Sequence, residues 1–237
     1  MAGMTSTSRD TARALLADLA PGATHLDVDA LLRAVGWTPS GVGDWAWALR
    51  SPDGVVVARI SPFDPAGPYA AMLYRIASDT GQVPALFAHR VLDGGGDLIL
   101  MEPLSPVPEA EAATFLASVV VGSPAVGALA HHLHQVHARG AAEQPWWGPL
   151  DDNPANVMRG ADGRLVLTDP YYADGPDLYR TVLEDPDRVV RAFPADRRRF
   201  MTELPLAGSG GWAAGEAERM RAALAAADAR LSAGDGR

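Results

Sequence analysis

The chain has 237 residues, 48% of them hydrophobic and 21% charged, which excludes a disordered or fibrous protein and fits one large domain or two small lobes. A net charge of −9 opposes phosphate backbones, so nucleic acid is not an expected partner. Cysteine is absent, which excludes disulfides, thiolate nucleophiles and cysteine-ligated zinc. The opening MAGMTSTSRD lacks the apolar centre of a secretory signal, and no apolar run reaches the roughly 18 residues of a membrane span, so the expected setting is cytoplasmic with no membrane partner. All 20 basic residues are arginines, a bias like that of a high-GC genome, and any chemistry that needs a fixed cation must use arginine.

Two helices are expected first, Ser8 to Leu19 and Asp27 to Val35, on the helical spacing of Leu15, Leu16, Leu19, Leu31 and Leu32, with Pro21-Gly22 between them. From Trp37 the texture becomes strand-like: WTPSGVGDWAWALR, the turn Ser51-Pro52-Asp53-Gly54, then VVVARI. Tyr69, Met72, Leu73 and Ile76 mark a helix within Pro65 to Thr80. Strands follow over Ala85 to Leu92 and Asp97 to Met101, around Asp93-Gly94-Gly95-Gly96. The proline-rich run from Glu102 to Pro108 is the candidate hinge.

Beyond it, apolar repeats near 3.6 predict helices over Glu109 to Val121 and Ser123 to Arg139. A short strand at Val157-Met158, the turn Ala161-Asp162-Gly163 and a strand over Arg164 to Thr168 come next. Helices are expected over Asp177 to Arg191, Ala195 to Leu204 and Gly215 to Leu231. The division is an N-terminal helical extension (1–36), a small lobe of sheet and helix (37–104) and a helical lobe (105–237).

The most informative stretch is GPLDDNPANVMRGADGRLVLTDPYY, Gly148 to Tyr172. Asp151 is followed five positions later by Asn156 on a proline-containing loop, then by a hairpin, then by Asp169 at the end of its second strand. Three oxygen-bearing side chains can thereby converge on one magnesium-bound phosphate. The plainer reading is a polar loop whose Asp-Asp-Asn-Pro makes turns. Upstream, Gly41-Val42-Gly43 offers a turn through which backbone N–H groups could approach a phosphate, and Arg59 stands in the strand VVVARI.

These motifs, Asp151-x4-Asn156 with Pro154, the hairpin and Thr168-Asp169-Pro170, resemble the protein kinase and aminoglycoside phosphotransferase superfamily, and the wording NVMRGADGRLVLTDP is similar to that of short kinase-like proteins of bacteria and phages. The resemblance covers Trp37 to about Tyr172. It implies a two-lobed α+β kinase-like fold, with a small antiparallel sheet in the first lobe and a reduced helical second lobe. It also implies ATP and magnesium as cofactors and transfer to a hydroxyl of a small molecule or a protein. By the same resemblance Asp151 would orient and deprotonate the acceptor, and Asn156 and Asp169 would hold metal. Gly41, Gly43, Arg59 and Glu102 would bind the nucleotide. Arg59 stands where protein kinases have lysine.

Two departures leave a second reading open, a catalytically weak pseudokinase acting through partner contacts. The helix Pro65 to Thr80 has no glutamate to pair with Arg59, only Asp64 and Asp79 at its edges and Tyr74 or Arg75 in its middle; Pro149-Leu150 stand where the family has a histidine ahead of the aspartate.

Other groupings read more plainly. His131, His132, His134 and His137 could meet a metal, but they also fit a helix packed under the catalytic loop. Arg197-Arg198-Arg199 reads as a solvated helix face rather than an acid-binding patch. Trp146 and Trp147 could flank an acceptor pocket or fill core, and His25 and His89 carry no signal.

Overall fold

The computed structural model describes residues 3–234. Helices α1 (Gly3–Asp18) and α2 (His25–Ala34) precede the strands β1 (Thr38–Val42), β2 (Trp47–Arg50) and β3 (Val57–Ser61). Helix α3 (Gly67–Ile76) follows, with a 3-10 turn at Ser78–Thr80, then β4 (Leu86–Val91) and β5 (Asp97–Met101). A two-residue strand, β6 (Ser105–Pro106), lies in the proline-rich run and pairs with the later hairpin. The second half holds α4 (Glu109–Val120), α5 (Gly127–Glu143), β7 (Val157–Arg159), β8 (Leu165–Leu167), α6 (Gly175–Glu184), α7 (Pro186–Ala192), α8 (Ala195–Arg198) and α9 (Glu216–Gly234).

The first sheet is antiparallel in the order β1-β2-β3-β5-β4, with α3 carrying the chain from β3 across to β4. With the helical second half, this is the α+β arrangement that the sequence led us to expect, a small antiparallel sheet followed by a helical part. The sheet's two faces follow from strand alternation. Leu98 and Leu100 of β5 join Ala58 and Ile60 of β3 in a core with Val28 and Leu32 of α2. Ile99, one residue out of phase, belongs to the opposite core, with Ala70, Leu73 and Tyr74 of α3 and Leu129, Leu133 and Val136 of α5. The same alternation directs Val57 and Arg59 of β3 away from the α2 side and into the cleft beneath the sheet. Helix α2 starts on a capping box in which Thr24 and Asp27 satisfy each other's backbone N–H groups.

One expected helix is divided and another is shortened. The helix over Asp177 to Arg191 breaks at Asp185-Pro186 because proline has no N–H to continue it; Asp185 then caps α7 by accepting from the Arg188 amide. Past Arg198 the expected helix ends in turns. A third core, Trp146, Leu178, Tyr179, Val182, Val189, Phe193, Met201, Met220 and Leu224, binds the terminal helices to one another and also takes in Phe63 from the loop after β3. No helix among the described residues is long and apolar enough to cross a membrane.

Candidate active site

Beneath the sheet lies a cleft of about 770 Å³ between the β1–β2 turn, β3, the run after β5 and the loop 149–156. Arg59 enters it from β3 with its side chain 12% exposed, and its guanidinium is gripped by two acids. Nε donates to Asp169 Oδ2 at 2.9 Å and Nη1 to Asp64 Oδ2 at 2.8 Å. Burial works against this charge, but the Asp169 and Asp64 carboxylates outweigh it and raise the guanidinium pKa above its ordinary value. Asp64 belongs to the loop between β3 and α3. Its other oxygen accepts from the Ala66 and Gly67 amides at 2.9 and 2.8 Å.

The second half of the site is built on hydrogen bonds between two antiparallel runs of loop. Gly148 N–H donates to Tyr172 O and Asp151 N–H to Pro170 O, each at 3.0 Å, which lays the loop carrying Asp151 beside the segment after Asp169. Within that loop Asp151 Oδ1 accepts from the Asn153 amide at 3.0 Å, and Asn153 in turn caps the single 3-10 turn Pro154–Asn156. Asn156 Nδ2 donates to Asp151 Oδ2 at 2.8 Å and to the Asp169 carbonyl at 3.2 Å. The Asn156 carbonyl accepts from the Thr168 amide at 2.7 Å, so the hairpin of β7 and β8 returns the chain onto the asparagine. Asp169 itself adopts φ +40°, which a residue with a Cβ seldom takes, and donates its N–H to the Tyr74 hydroxyl of α3 at 3.2 Å.

One chain of bonds therefore runs Asp64, Arg59, Asp169, Asn156, Asp151. The residues fit a hard divalent cation. Arg59 occupies only Oδ2 of Asp169, and Asn156 spends its amide nitrogen on neighbours, which leaves a carboxylate oxygen and an amide oxygen of the kind magnesium takes alongside water.

Arg59, Gly41, Gly43, Glu102, Asp151, Asn156 and Asp169 all line the cleft, in different ways. Gly41 lies within β1, opposite Ala48, and the turn is formed one step later, by Gly43 N–H on Ala46 O at 2.8 Å. A Cβ at Gly41 would meet nothing within 4 Å, so that backbone is open to a close ligand. Glu102 keeps its carboxylate occupied with the Ala85 amide at 2.7 Å and with Arg164, so its side chain braces the run after β5.

The sequence reading missed three contributors. Asp64 supplies the acid that α3 lacks. Tyr74 holds the Asp169 backbone. Asp44 ties the β1–β2 turn to the far end of the chain, accepting from the Gly208 and Ser209 amides at 2.6 and 2.9 Å. The nearness of Asp64 to Arg59, five residues along, was the one signal available.

The remaining groupings resolve as packing. Trp146 is 7% exposed in the third core, and Trp147 packs on His137 and Tyr171; neither lines the cleft. His137 donates from Nε2 to the Gly148 carbonyl at 3.2 Å, under the loop that carries Asp151. Among the described residues no three His, Cys, Asp or Glu side chains are grouped to hold a metal. Arg198 departs from the expected solvated face: it is 4% exposed and bonds to the Phe193 carbonyl and Asp228, because α9 packs across it. His25 is buried beside Glu203 at 3.3 Å, and His89 pairs with buried Asp97 at 2.7 Å.

No protein-family model matches the chain, and no curated protein matches it. Among solved structures it is similar to the PknI kinase domain of Mycobacterium tuberculosis, at 17% identity over 86% of this chain and 99% of that one, with a TM-score of 0.30. It is also similar to an apo pseudokinase, at 14% identity over 81% and 84% with a TM-score of 0.32, and to a MAP kinase of Leishmania major, at 13% over 76% and 57% with a TM-score of 0.30.

Proposed function

We propose that the cleft binds ATP with magnesium and transfers the terminal phosphoryl group to a hydroxyl of a small molecule, with a protein hydroxyl as the alternative acceptor. The observation that carries this reading is the continuous bond chain from Arg59 through Asp169 and Asn156 to Asp151, which gathers a cation, two metal-type oxygens and a carboxylate oriented by amides in one cleft. Asp44, Asp64, Glu102, Asp151, Asp152 and Asp169 line the same cleft against the single guanidinium of Arg59, so a polyphosphate would be repelled unless it arrived with divalent cations.

In this reading Asn156 and Asp169 hold the metal, which supplies charge neutralisation at the phosphate oxygens. Arg59 steadies the phosphates with a charge-assisted, planar grip that lysine cannot copy. Asp151, its carboxylate oriented by the Asn153 amide and the Asn156 side chain, accepts the hydroxyl proton of the acceptor. The run after β5 offers backbone to the base, since the Glu102 side chain is engaged elsewhere.

The second reading, a nucleotide-binding protein with weak turnover, draws on the direct bond between Arg59 and Asp169, which ties the metal residue to the cation.

The test is ATP turnover in the presence of magnesium and a panel of hydroxyl acceptors, with Asp151→Asn beside the wild type. Loss of about two to four powers of ten in turnover, with ATP affinity little changed, is expected. Equal turnover in both would remove Asp151 from the chemistry, and nucleotide binding without turnover in the wild type would favour the second reading.

A further inference from the structure

Arg59 could be held by any of several acids. The carboxylate of Asp97 is 1% exposed and near it, but bonds to His89 Nε2 at 2.7 Å. Asp79 is exposed at the far end of α3, and the middle of that helix presents Tyr74, whose hydroxyl is used by the Asp169 amide. Asp64 remains.

We propose that Asp64 is a positioning residue: it fixes the direction of Arg59 into the cleft, and does so from a loop rather than from the helix where the resemblance would put the acid. This rests on the nucleotide reading above. Asp64 is 6% exposed, and its two oxygens have separate duties. Oδ1 accepts from the Ala66 and Gly67 amides at the start of α3, and Oδ2 from Arg59 Nη1. Its own N–H donates to the Gly95 carbonyl at 3.1 Å, so backbone and side chain are both anchored.

With Nη1 held by Asp64 and Nε by Asp169, Nη2 carries neither bond and is the donor left for a phosphate oxygen. Asp169 is partly exposed and has a metal-binding duty in the same reading, whereas Asp64 is buried and has no other partner of opposite charge in these bonds. When Asp169 turns to a ligand, Asp64 is the anchor that stays.

Asp64 sits just ahead of α3, where a Cβ at Gly67 would lie only 2.6 Å from the Asp97 carboxyl, so this end of the helix is packed without slack.

Calorimetric titration with ATP and magnesium, and with AMP, tests both levels separately. Absence of ATP binding by the wild type ends the nucleotide reading and the proposal with it. Given binding, Asp64→Asn is the informative variant, because an amide oxygen can still cap α3 while the negative charge on Arg59 is gone. We expect ATP affinity to fall about tenfold, AMP affinity to change by less than about twofold, and the melting temperature to stay within a few degrees. In an Arg59→Ala background, Asp64→Asn should cause no further loss of ATP affinity, since the two residues act as one unit. Unchanged ATP affinity, equal losses for ATP and AMP, or additive losses in the double variant would each overturn the assignment. Should Asp64→Asn fail to fold, Asp64→Ser, which keeps a short capping oxygen without the charge, is read by the same criteria.

Discussion

Asp169 occupies a left-handed backbone conformation, φ +40°, held by its own N–H on Tyr74 and by Asn156 on its carbonyl. Such a conformation costs on the order of 1 kcal/mol or more and persists only where neighbours enforce it. Its carboxyl titrates above the ordinary aspartate value of 3.8, chiefly because the cleft desolvates it, with the Asp64 charge adding to the shift and Arg59 opposing it. An acid whose folded pKa is raised contributes stability below its unfolded pKa and loses that contribution as pH rises through the folded value. The desolvation of Asp169 therefore works against the fold increasingly as pH rises. Asp169→Asn, which suits the same backbone and can still accept from Arg59, should melt no lower than wild type at pH 7 while losing magnesium-dependent ATP binding. In the wild type that binding should weaken on acidification at a pH above the ordinary aspartate range, and this limb should vanish in the variant. A lower melting temperature for Asp169→Asn at pH 7 would show that the ion pair with Arg59 outweighs the desolvation.

At the scale of elements, the β1–β2 hairpin turn is fastened to the segment between α8 and α9. The Asp44 carbonyl accepts from Leu206 N–H at 3.1 Å, and the Asp44 carboxylate takes the Gly208 and Ser209 amides and the Ser209 hydroxyl. Burial pushes the Asp44 pKa up, but these donors dominate and hold it below the ordinary value. Leu206 has φ +50°, unfavourable for a branched side chain, and the bonds to the turn offset that strain. Trp45 adds contacts to Phe63 and Tyr179, with ring centroids 6.3 and 6.5 Å apart. Asp44→Ala should remove the clamp at a cost of about 1 kcal/mol and raise hydrogen exchange at Gly208 and Ser209, with the sheet core unaffected. Unchanged protection of those two amides would mean that Trp45, and not Asp44, carries the attachment.

Across the whole molecule, the third core joins the two lobes. Phe63, 2% exposed, comes from the loop after β3 yet packs against Phe193, ring centroid to ring centroid 5.4 Å, in the centre of the terminal helices. Phe63→Ala should destabilise by about 3 to 5 kcal/mol, in the range for a fully buried aromatic. Because the same side chain ties sheet to helices, wild-type thermal unfolding should be a single transition by calorimetry, and Phe63→Ala should broaden or split it. A wild-type profile that already shows two separated transitions would mean that the lobes unfold independently.

The sequence by itself determined the alternation that sends Arg59 to one face of β3 and Ile60 to the other, the turn at Asp53-Gly54, the helix after the sheet, and the order Asp151, Asn156, hairpin, Asp169. Each is written in contacts between near neighbours, where spacing alone fixes geometry. What only the tertiary structure decided is who meets whom. Arg59 bonds to Asp169 across 110 residues and Asp44 to Ser209 across 165. Asp64 could be seen beside α3 in the sequence, but not that its carboxylate would turn toward Arg59 while capping the helix. Asp97 and Asp79 are also aspartates near that helix, and residue type does not separate them. Burial does: desolvation makes an unpaired carboxylate or guanidinium too costly inside the fold, so each buried charge settles on the partner that packing leaves within reach, and that choice exists only once the chain has closed.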